Sequence, residues 1–361
     1  MPLKCGIIGL PNVGKSTVFN ALCRAGAQMA SYPFCTIEPN VGVVPVPDAR
    51  LERIGAILGK KNPIPTRVEL VDVAGLVEGA SRGEGLGNKF LGHIRQVDAV
   101  IHVLRCFHDQ DVAHVTGSID PLRDVEIINT ELVLADLEQV RRARQKIVQK
   151  ARSGDNEAKA RLEALDRMAA LLDQGSPLRE EASGSEDAQV FREFGLITAK
   201  PVLLLANVDE EGGDPESQNA LRSYAAERGA AFMPLVGKLE EEISELPEEE
   251  KQTYLEAMGL EKSGLDRLVE TAHRLLDIIT FYTVTTDLQA WTVKTGTPAP
   301  EAAGGIHTDM QEGFVRAEVY RFEDLEAAGS EHAVREKGLL RSEGRDYVMQ
   351  DGDIVHFLFH R

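Results

Sequence analysis

The chain has 361 residues, 43% of them hydrophobic, with 58 acidic side chains against 40 Lys and Arg and a formal net charge of -18. That length and apolar content give room for two or three domains with a sizeable core, and the acidity argues against a DNA-coating protein while leaving space for a local basic patch. Four cysteines (Cys5, Cys23, Cys35 and Cys106) form no C-x-x-C pair, no run approaches the ~20 apolar residues that cross a bilayer, and the N-terminus lacks a signal-peptide pattern, so a cytoplasmic protein with reduced thiols and no membrane partner is expected.

The apolar run Leu3 to Ile8 reads as a strand and Thr17 to Arg24 as a helix, and between them lies Gly9-Leu-Pro-Asn-Val-Gly-Lys-Ser-Thr17. The spacing G-x-x-x-x-G-K-S is that of a phosphate-binding loop. Its glycines let backbone N–H groups turn inward around an anion, and the following helix aims its positive dipole end at the same place. Asn12, Val13, Gly14, Lys15, Ser16 and Thr17 are therefore expected to hold a nucleoside triphosphate, with Lys15 reaching the β and γ phosphates and the Ser16 hydroxyl on Mg²⁺. The motif leaves the base open.

A polar stretch, Ser31 to Asn40, leads into a strand at Val41 to Val46, and Thr36 within it stands where a nucleotide switch supplies its second Mg²⁺ ligand. The next strand, from Arg67, ends in Asp72-Val73-Ala74-Gly75, a D-x-x-G arrangement. In it Asp72 holds Mg²⁺ through water and the Gly75 N–H senses the γ-phosphate, where a freely approaching backbone is needed. Gly79, Gly83, Gly85 and Gly87 then punctuate a loop with the composition of a switch region, ahead of a helical pattern at Asn88 to Gln96.

These runs together resemble the YchF family of Obg-related P-loop proteins, the Obg-like ATPases of the translation-factor GTPase class, over essentially the whole chain. The resemblance rests on Gly9 to Ser16, Tyr32 to Asn40, Asp72 to Leu76, Asn207 to Glu210 and a C-terminal region from about Ile278. It implies a Mg²⁺-dependent nucleotide switch that hydrolyses ATP, and GTP less well, and binds the ribosome or its RNA, most simply as a monomer. An alternative class is a slowly hydrolysing, nucleotide-regulated RNA- or protein-binding module. The strength with which ribosomes stimulate turnover separates the two.

The base-reading run departs from the guanine-specific N-K-x-D. After the strand Pro201 to Ala206 come Asn207, Val208, Asp209 and Glu210, so a valine replaces the stacking lysine and the carboxylate carries an extra methylene. Guanine readout is expected to weaken, and the family resemblance implies adenine held by backbone and apolar contacts near Val208. A one-residue slip would put Asp209 on the base and favour GTP. Val236-Gly237-Lys238 stands where a Ser-Ala pair is usual.

Leu76 occupies the position of the water-orienting glutamine and makes no hydrogen bond. His114 resembles the histidine the family uses instead; the other reading is a solvated loop histidine. Asn12 resembles the residue that helps bind K⁺ in related proteins without the glutamine, which adds K⁺ to the candidate cofactors.

Between the strands Ala99 to Arg105 and Pro201 to Ala206, Leu137, Val140, Ile147 and Ala151 recur at helical spacing. Ser153 to Asn156 forms a turn, and Leu162, Leu165, Met168 or Ala169, and Leu172 return. This predicts an antiparallel helical coiled coil whose first arm carries Arg141, Arg142, Arg144, Lys146, Lys150 and Arg152, either a solvated face or an RNA contact. The glutamate-dense Glu240 to Glu250 reads as solvated surface. From Ile278, short strands at Thr280 to Thr286, Trp291 to Val293, Val315 to Tyr320 and Ile354 to Phe359 surround a loop at Gly296 to Gly305 and a helix at Glu323 to Ala328, resembling a β-grasp TGS module; His307 and His356 are too isolated for a metal site.

The expected architecture is thus α/β. It comprises a Ras-like P-loop nucleotide domain at 1–130 and 198–277, a helical hairpin at 131–197 and a β-grasp domain at 278–361.

Overall fold

The computed structural model describes residues 3–29, 41–73, 86–109, 111–112, 114–115, 117–179, 188–285 and 287–360. Thr36, Cys35, Gly75 and Leu76 lie outside these residues, as do Gly79, Gly83 and Gly85 of the glycine-rich loop.

The first sheet has six strands: β1 (Leu3–Ile8), β2 (Val41–Pro45), β3 (Arg67–Asp72), β4 (Ala99–Cys106), β5 (Val202–Val208) and β6 (Ala231–Leu235), in the order β2-β3-β1-β4-β5-β6. The pairings β1 with β4, β4 with β5 and β5 with β6 are parallel, as the alternation of strands and helices requires. β4 and β5 are buried at every position, the near-continuous apolar reading of a strand covered on both faces. Helix α1 (Lys15–Met29) follows β1 directly, α2 (Ala49–Leu58) lies between β2 and β3, and α3 (Leu86–Arg95) precedes β4.

The helical hairpin consists of α4 (Pro121–Arg152) and α5 (Asn156–Asp173). Asp120 caps α4 by accepting the Arg123 N–H, with Pro121 in the first turn, where its missing N–H costs nothing; Asp155 caps α5 through Ala158. The predicted seam is present, with Leu137, Val140, Leu165, Met168 and Leu172 buried; Met168, rather than Ala169, fills the third position on the return arm. Leu178, Phe191 and Leu196 close the same cluster, so the hairpin core includes the returning chain. Asp136, fully buried on α4, accepts the Ile197 N–H, the Thr198 N–H and the Thr198 hydroxyl at 3.1, 2.7 and 2.8 Å, tying the helix to the turn that feeds β5.

The second sheet is built from β7 (Ile278–Thr283), β8 (Gln289–Lys294), β9 (Phe314–Arg321), β10 (Arg341–Glu343) and β11 (Asp353–Phe359), in the order β10-β9-β11-β7-β8. β7 and β11 run parallel and the other pairs antiparallel, a mixed sheet of β-grasp type. One face, with Ile279, Phe281, Ala317, Val319, Val355 and Phe357, packs on the helix Ala299–Ile306. That helix occupies the stretch read as a loop from Gly296, Pro298, Pro300, Gly304 and Gly305. Pro300 falls in the first turn, where proline is tolerated, and burial of Ala299, Ala302 and Ala303 offsets the low propensity of the two glycines.

The chain divides into two compact units. One holds 3–44 and 69–268; the other holds 45–68 together with the chain from 269 onward. The segment that carries α2, read from the sequence with the nucleotide domain, thus packs with the second sheet. Leu51 and Ile54 on α2 share a buried cluster with Tyr282, Leu288, Tyr320 and Ile354 on the other face of that sheet. Asp48 caps α2 through the Arg50 and Leu51 N–H groups and accepts the Tyr282 hydroxyl at 2.7 Å, and Arg50 forms a bidentate pair with Asp351 at 2.6 and 3.3 Å.

Candidate functional site

The phosphate loop joins the end of β1 to the first turn of α1. Asn12 (φ 63°) and Gly14 (φ 89°) both take left-handed backbone, a conformation that asparagine tolerates and glycine adopts freely. Close approach adds to the demand at Gly14, because a methyl group there would sit 2.1 Å from the Asn207 side-chain nitrogen. Val13 is buried, whereas Asn12 and Ser16 are exposed and Thr17 is half-buried at the start of α1.

Asn207, buried near the end of β5, is the strut of this loop. Its Nδ2 donates to the Val13 carbonyl at 3.0 Å and its Oδ1 accepts the Gly237 N–H at 3.0 Å, so one amide ties the phosphate loop to the segment after β6. This accounts for glycine at 237, where a methyl group would lie 2.8 Å from Asn207 Oδ1. Val208 is buried, and a side-chain carbon at Gly213 would meet it at 3.0 Å. Asp209 closes the next turn, its Oδ1 accepting the Gly213 N–H at 2.8 Å, while Glu210 is exposed.

Lys15 and Asp72 are brought together as an ion pair, Nζ to Oδ1, with both side chains largely buried. The structure therefore joins the lysine assigned to the phosphates and one of the residues assigned to the metal. The site's oxygen donors, the Ser16 hydroxyl and the Asp72 carboxylate, are the hard ligands that Mg²⁺ selects, and the inward-turned loop with Asp72 beside Lys15 fits that ion. Among the described residues there is no separate cluster of three or more His, Cys, Asp or Glu side chains suited to a metal.

His114 is not a solvated loop histidine: its side chain is 4% exposed and its Nε2 lies 2.8 Å from Oδ2 of Asp124, which is fully buried in the first turn of α4. Burial raises the Asp124 carboxyl above the usual carboxylate range, opposed by His114 and by Arg123. Sequence reasoning passed over Asp124, whose only signal was its place three residues after a helix-capping Asp-Pro pair.

It also passed over Arg105. This arginine, 1% exposed at the end of β4, donates to the carbonyls of Phe107, Asp109 and Val112 at 3.3, 3.0 and 2.9 Å and stacks on the Phe107 ring at 4.6 Å. A buried cation is thus satisfied by the loop that it shapes. The same loop reaches the phosphate loop, since the Phe107 ring lies 3.8 Å from where a Gly14 side chain would begin.

Two readings of charge change with the structure. Glu240, from the supposedly solvated acidic run, is buried and accepts the Gly264 and Leu265 N–H groups at 2.7 and 3.2 Å, acting as a helix N-terminal cap from a distance. On the hairpin, Arg141 pairs with Asp173, Arg142 with Glu138, Arg144 with Asp166 and Lys150 with Asp155, so much of the basic cluster is matched by neighbouring carboxylates.

Residues 4–139 match a family of 50S ribosome-binding GTPases, and residues 278–360 match the YchF GTPase C-terminal family, described as a protein of unknown function (DUF933). Over the full length of both chains, the protein is 47% identical to the ribosome-binding ATPase YchF of Haemophilus influenzae, 46% to that of Bacillus subtilis and 44% to that of Escherichia coli O157:H7. The solved structure of the Schizosaccharomyces pombe YchF GTPase superposes with a TM-score of 0.87 at 34% identity, over 99% of this chain and 97% of that one. A GTP-binding protein of Pyrococcus horikoshii, 20% identical with a TM-score of 0.62, shares the fold. With its phosphate loop, its Asn207 strut and full-length likeness to these proteins, the chain belongs to the YchF family of P-loop nucleotide triphosphatases.

Proposed function

We propose that this protein is a Mg²⁺-dependent ATPase that acts as a ribosome-binding nucleotide switch. The observation that carries the reading is 44–47% identity, end to end, with proteins named ribosome-binding ATPase, on a chain whose phosphate loop is built and braced. With nucleotide bound, Lys15 would meet the β and γ phosphate oxygens, and Ser16, Thr36 and Asp72 would hold Mg²⁺. The metal supplies neutralisation of the charge on those phosphates. Gly75 senses the γ-phosphate, His114 orients the attacking water in place of the absent glutamine, and Asn12 contributes to K⁺ binding.

At the base end, Asn207 and Val208 hold adenine while Glu210 takes the place of the guanine-reading aspartate. The engagement of Asp209 by the Gly213 N–H supports Glu210 over Asp209 as the carboxylate nearest the base. The ion pairs of the hairpin join exposed side chains, each worth roughly 0–1 kcal/mol, so exchanging a carboxylate for an RNA phosphate costs little. The hairpin is the ribosomal RNA contact, and the protein works as a cytoplasmic monomer without membrane attachment; among the described residues no helix is long and apolar enough to cross a membrane.

The test is a paired titration of fluorescent ATP and GTP analogues against the wild type and Glu210→Asp, followed by turnover with and without ribosomes. ATP is expected to bind at least about tenfold tighter, a difference near 1.4 kcal/mol, with the variant drifting toward GTP. Tighter GTP binding by the wild type overturns the ATP assignment, and turnover indifferent to ribosomes overturns the switch.

A further inference from the structure

On the second sheet, Tyr320 belongs to the buried cluster on the α2 side, and Glu318, two residues before it on β9, shares its face. The helix Glu331–Glu336 packs into the same cluster through Val334. Beside them opens a cavity of about 200 Å³, with Val284, Leu340 and Val355 as apolar wall and Glu318, Glu331 and Arg335 in its polar lining. Tyr320, 3% exposed, also lines it, and its hydroxyl has no hydrogen-bond partner among the described residues. A buried hydroxyl in that state forgoes a bond it is able to make. Glu331 and Arg335 lie within its electrostatic reach: burial raises the phenol above its usual range, Glu331 adds to the rise and Arg335 opposes it.

Size and lining narrow what fills this space. Pockets for drug-sized molecules run to about 300–1,000 Å³, so this one takes a single side chain or an aliphatic chain of similar length, and not a nucleotide. Two carboxylates against one guanidinium favour a cation, and the apolar wall suits a stem of methylene groups. The carboxylates keep acceptor capacity, because Glu331 is held only by Arg335 at 3.0 Å and Glu318 by Arg316 at 3.5 Å. Arg335 is itself 54% exposed, and an ion pair so open to water is weak and readily exchanged.

We propose that this cavity is a binding site for a primary alkylammonium group, its stem along Val284, Leu340 and Val355 and its N–H groups donating to Glu318, Glu331 and the Tyr320 hydroxyl. Two sources carry that group: a lysine side chain of a partner protein and a free polyamine. In either case the incoming ammonium displaces the Arg335 guanidinium from Glu331.

The test titrates the full-length protein, carrying isotope-labelled valine and leucine methyls, with butylammonium, butyrate and butanol at fixed ionic strength. Butylammonium is expected to give saturable shifts at Val284, Leu340 and Val355 with a Kd in the millimolar range, the affinity open to so small a ligand, and the anion and the alcohol none. Tyr320→Phe is expected to weaken that binding about 3- to 10-fold with thermal unfolding of the free protein unchanged, because the hydroxyl has no partner there to lose. Glu318→Gln is expected to weaken it similarly, and Arg335→Gln, which removes the competing guanidinium, to strengthen it. Saturable binding of butyrate, unsaturable shifts with all three probes, wild-type affinity in Tyr320→Phe, or weaker binding in Arg335→Gln overturns the inference. For the source, cadaverine binding about tenfold tighter than butylammonium assigns the site to a polyamine, through its second ammonium. Nα-acetyl-lysine methylamide binding as well as butylammonium, with no such gain for cadaverine, assigns it to a partner's lysine, and rejection of both overturns it.

Discussion

Polar side chains bond beside both sheets, deeply buried at the first and partly exposed at the second, and they are used differently. Beside the first, Asn207, Arg105 and Asp136 bond backbone groups of loops and turns: the phosphate loop, the segment after β4 and the turn before β5. Beside the second, Asp48, Tyr282, Arg50 and Asp351 bond one another as well as the backbone N–H groups of the α2 first turn and Thr280, and fasten a covering helix. The first kind fixes irregular backbone, whose unpaired N–H and C=O groups would otherwise be costly, in the shape that chemistry needs. The second kind chooses which helix lies on a sheet that hydrophobic burial would cover in any case.

The sharpest break in that comparison comes at the nucleotide. Lys15→Ala removes the cation that meets the phosphates and is expected to cut kcat about 10²- to 10³-fold, read by single-turnover hydrolysis. Asn207→Ala leaves the Val13 carbonyl and the Gly237 N–H buried without their partner. Denaturant unfolding should show a loss of about 1–3 kcal/mol, and titration a weakening of ATP binding near tenfold.

His102, on β4, gives a pH-dependent contrast. Burial holds its pKa down to about 3, with Arg179 acting in the same direction, so the folded chain keeps it neutral while the unfolded chain protonates near 6.5. Its contribution is present above that pH and is lost as pH falls toward 3, amounting to about 2 kcal/mol between pH 7 and pH 5. A His102→Gln variant should lose this slope in unfolding measured across that window. The smallest effect belongs to the second sheet, where Arg50→Ala breaks the bidentate pair with Asp351 and the stacking on Tyr282. It should lower stability by about 1 kcal/mol with ATP turnover unchanged.

The elements that chemistry fixes were legible in the sequence. The phosphate loop, β3 ending at Asp72 and the hairpin seam all stand where spacing put them, because each is set by local geometry or by strict periodicity. What was not legible depends on distant partners. Glu240 looked solvated because a capping role for a helix that starts at Gly264 has no local signature. The helix Ala299–Ile306 was hidden by its own glycines and prolines, since tertiary burial of three alanines, rather than propensity, decides it. Asp124 and Arg105 matter through the segment between them, and only the fold puts a carboxylate beside the His114 ring and a guanidinium on the carbonyls of Phe107, Asp109 and Val112.

The membership of α2 has a practical consequence for anyone who shortens this chain. The C-terminal family match begins at residue 278, which invites removal of everything beyond it. Such a truncation would leave Leu51 and Ile54, now 3% and 0% exposed, facing water, together with an Asp48 that has lost the Tyr282 hydroxyl. At about 1.5–3 kcal/mol for each aliphatic side chain returned to solvent, the remainder would carry a sticky helix in the connection between β2 and β3. Aggregation of that fragment would report a core cut in half, and says nothing about whether the nucleotide-binding unit can work alone.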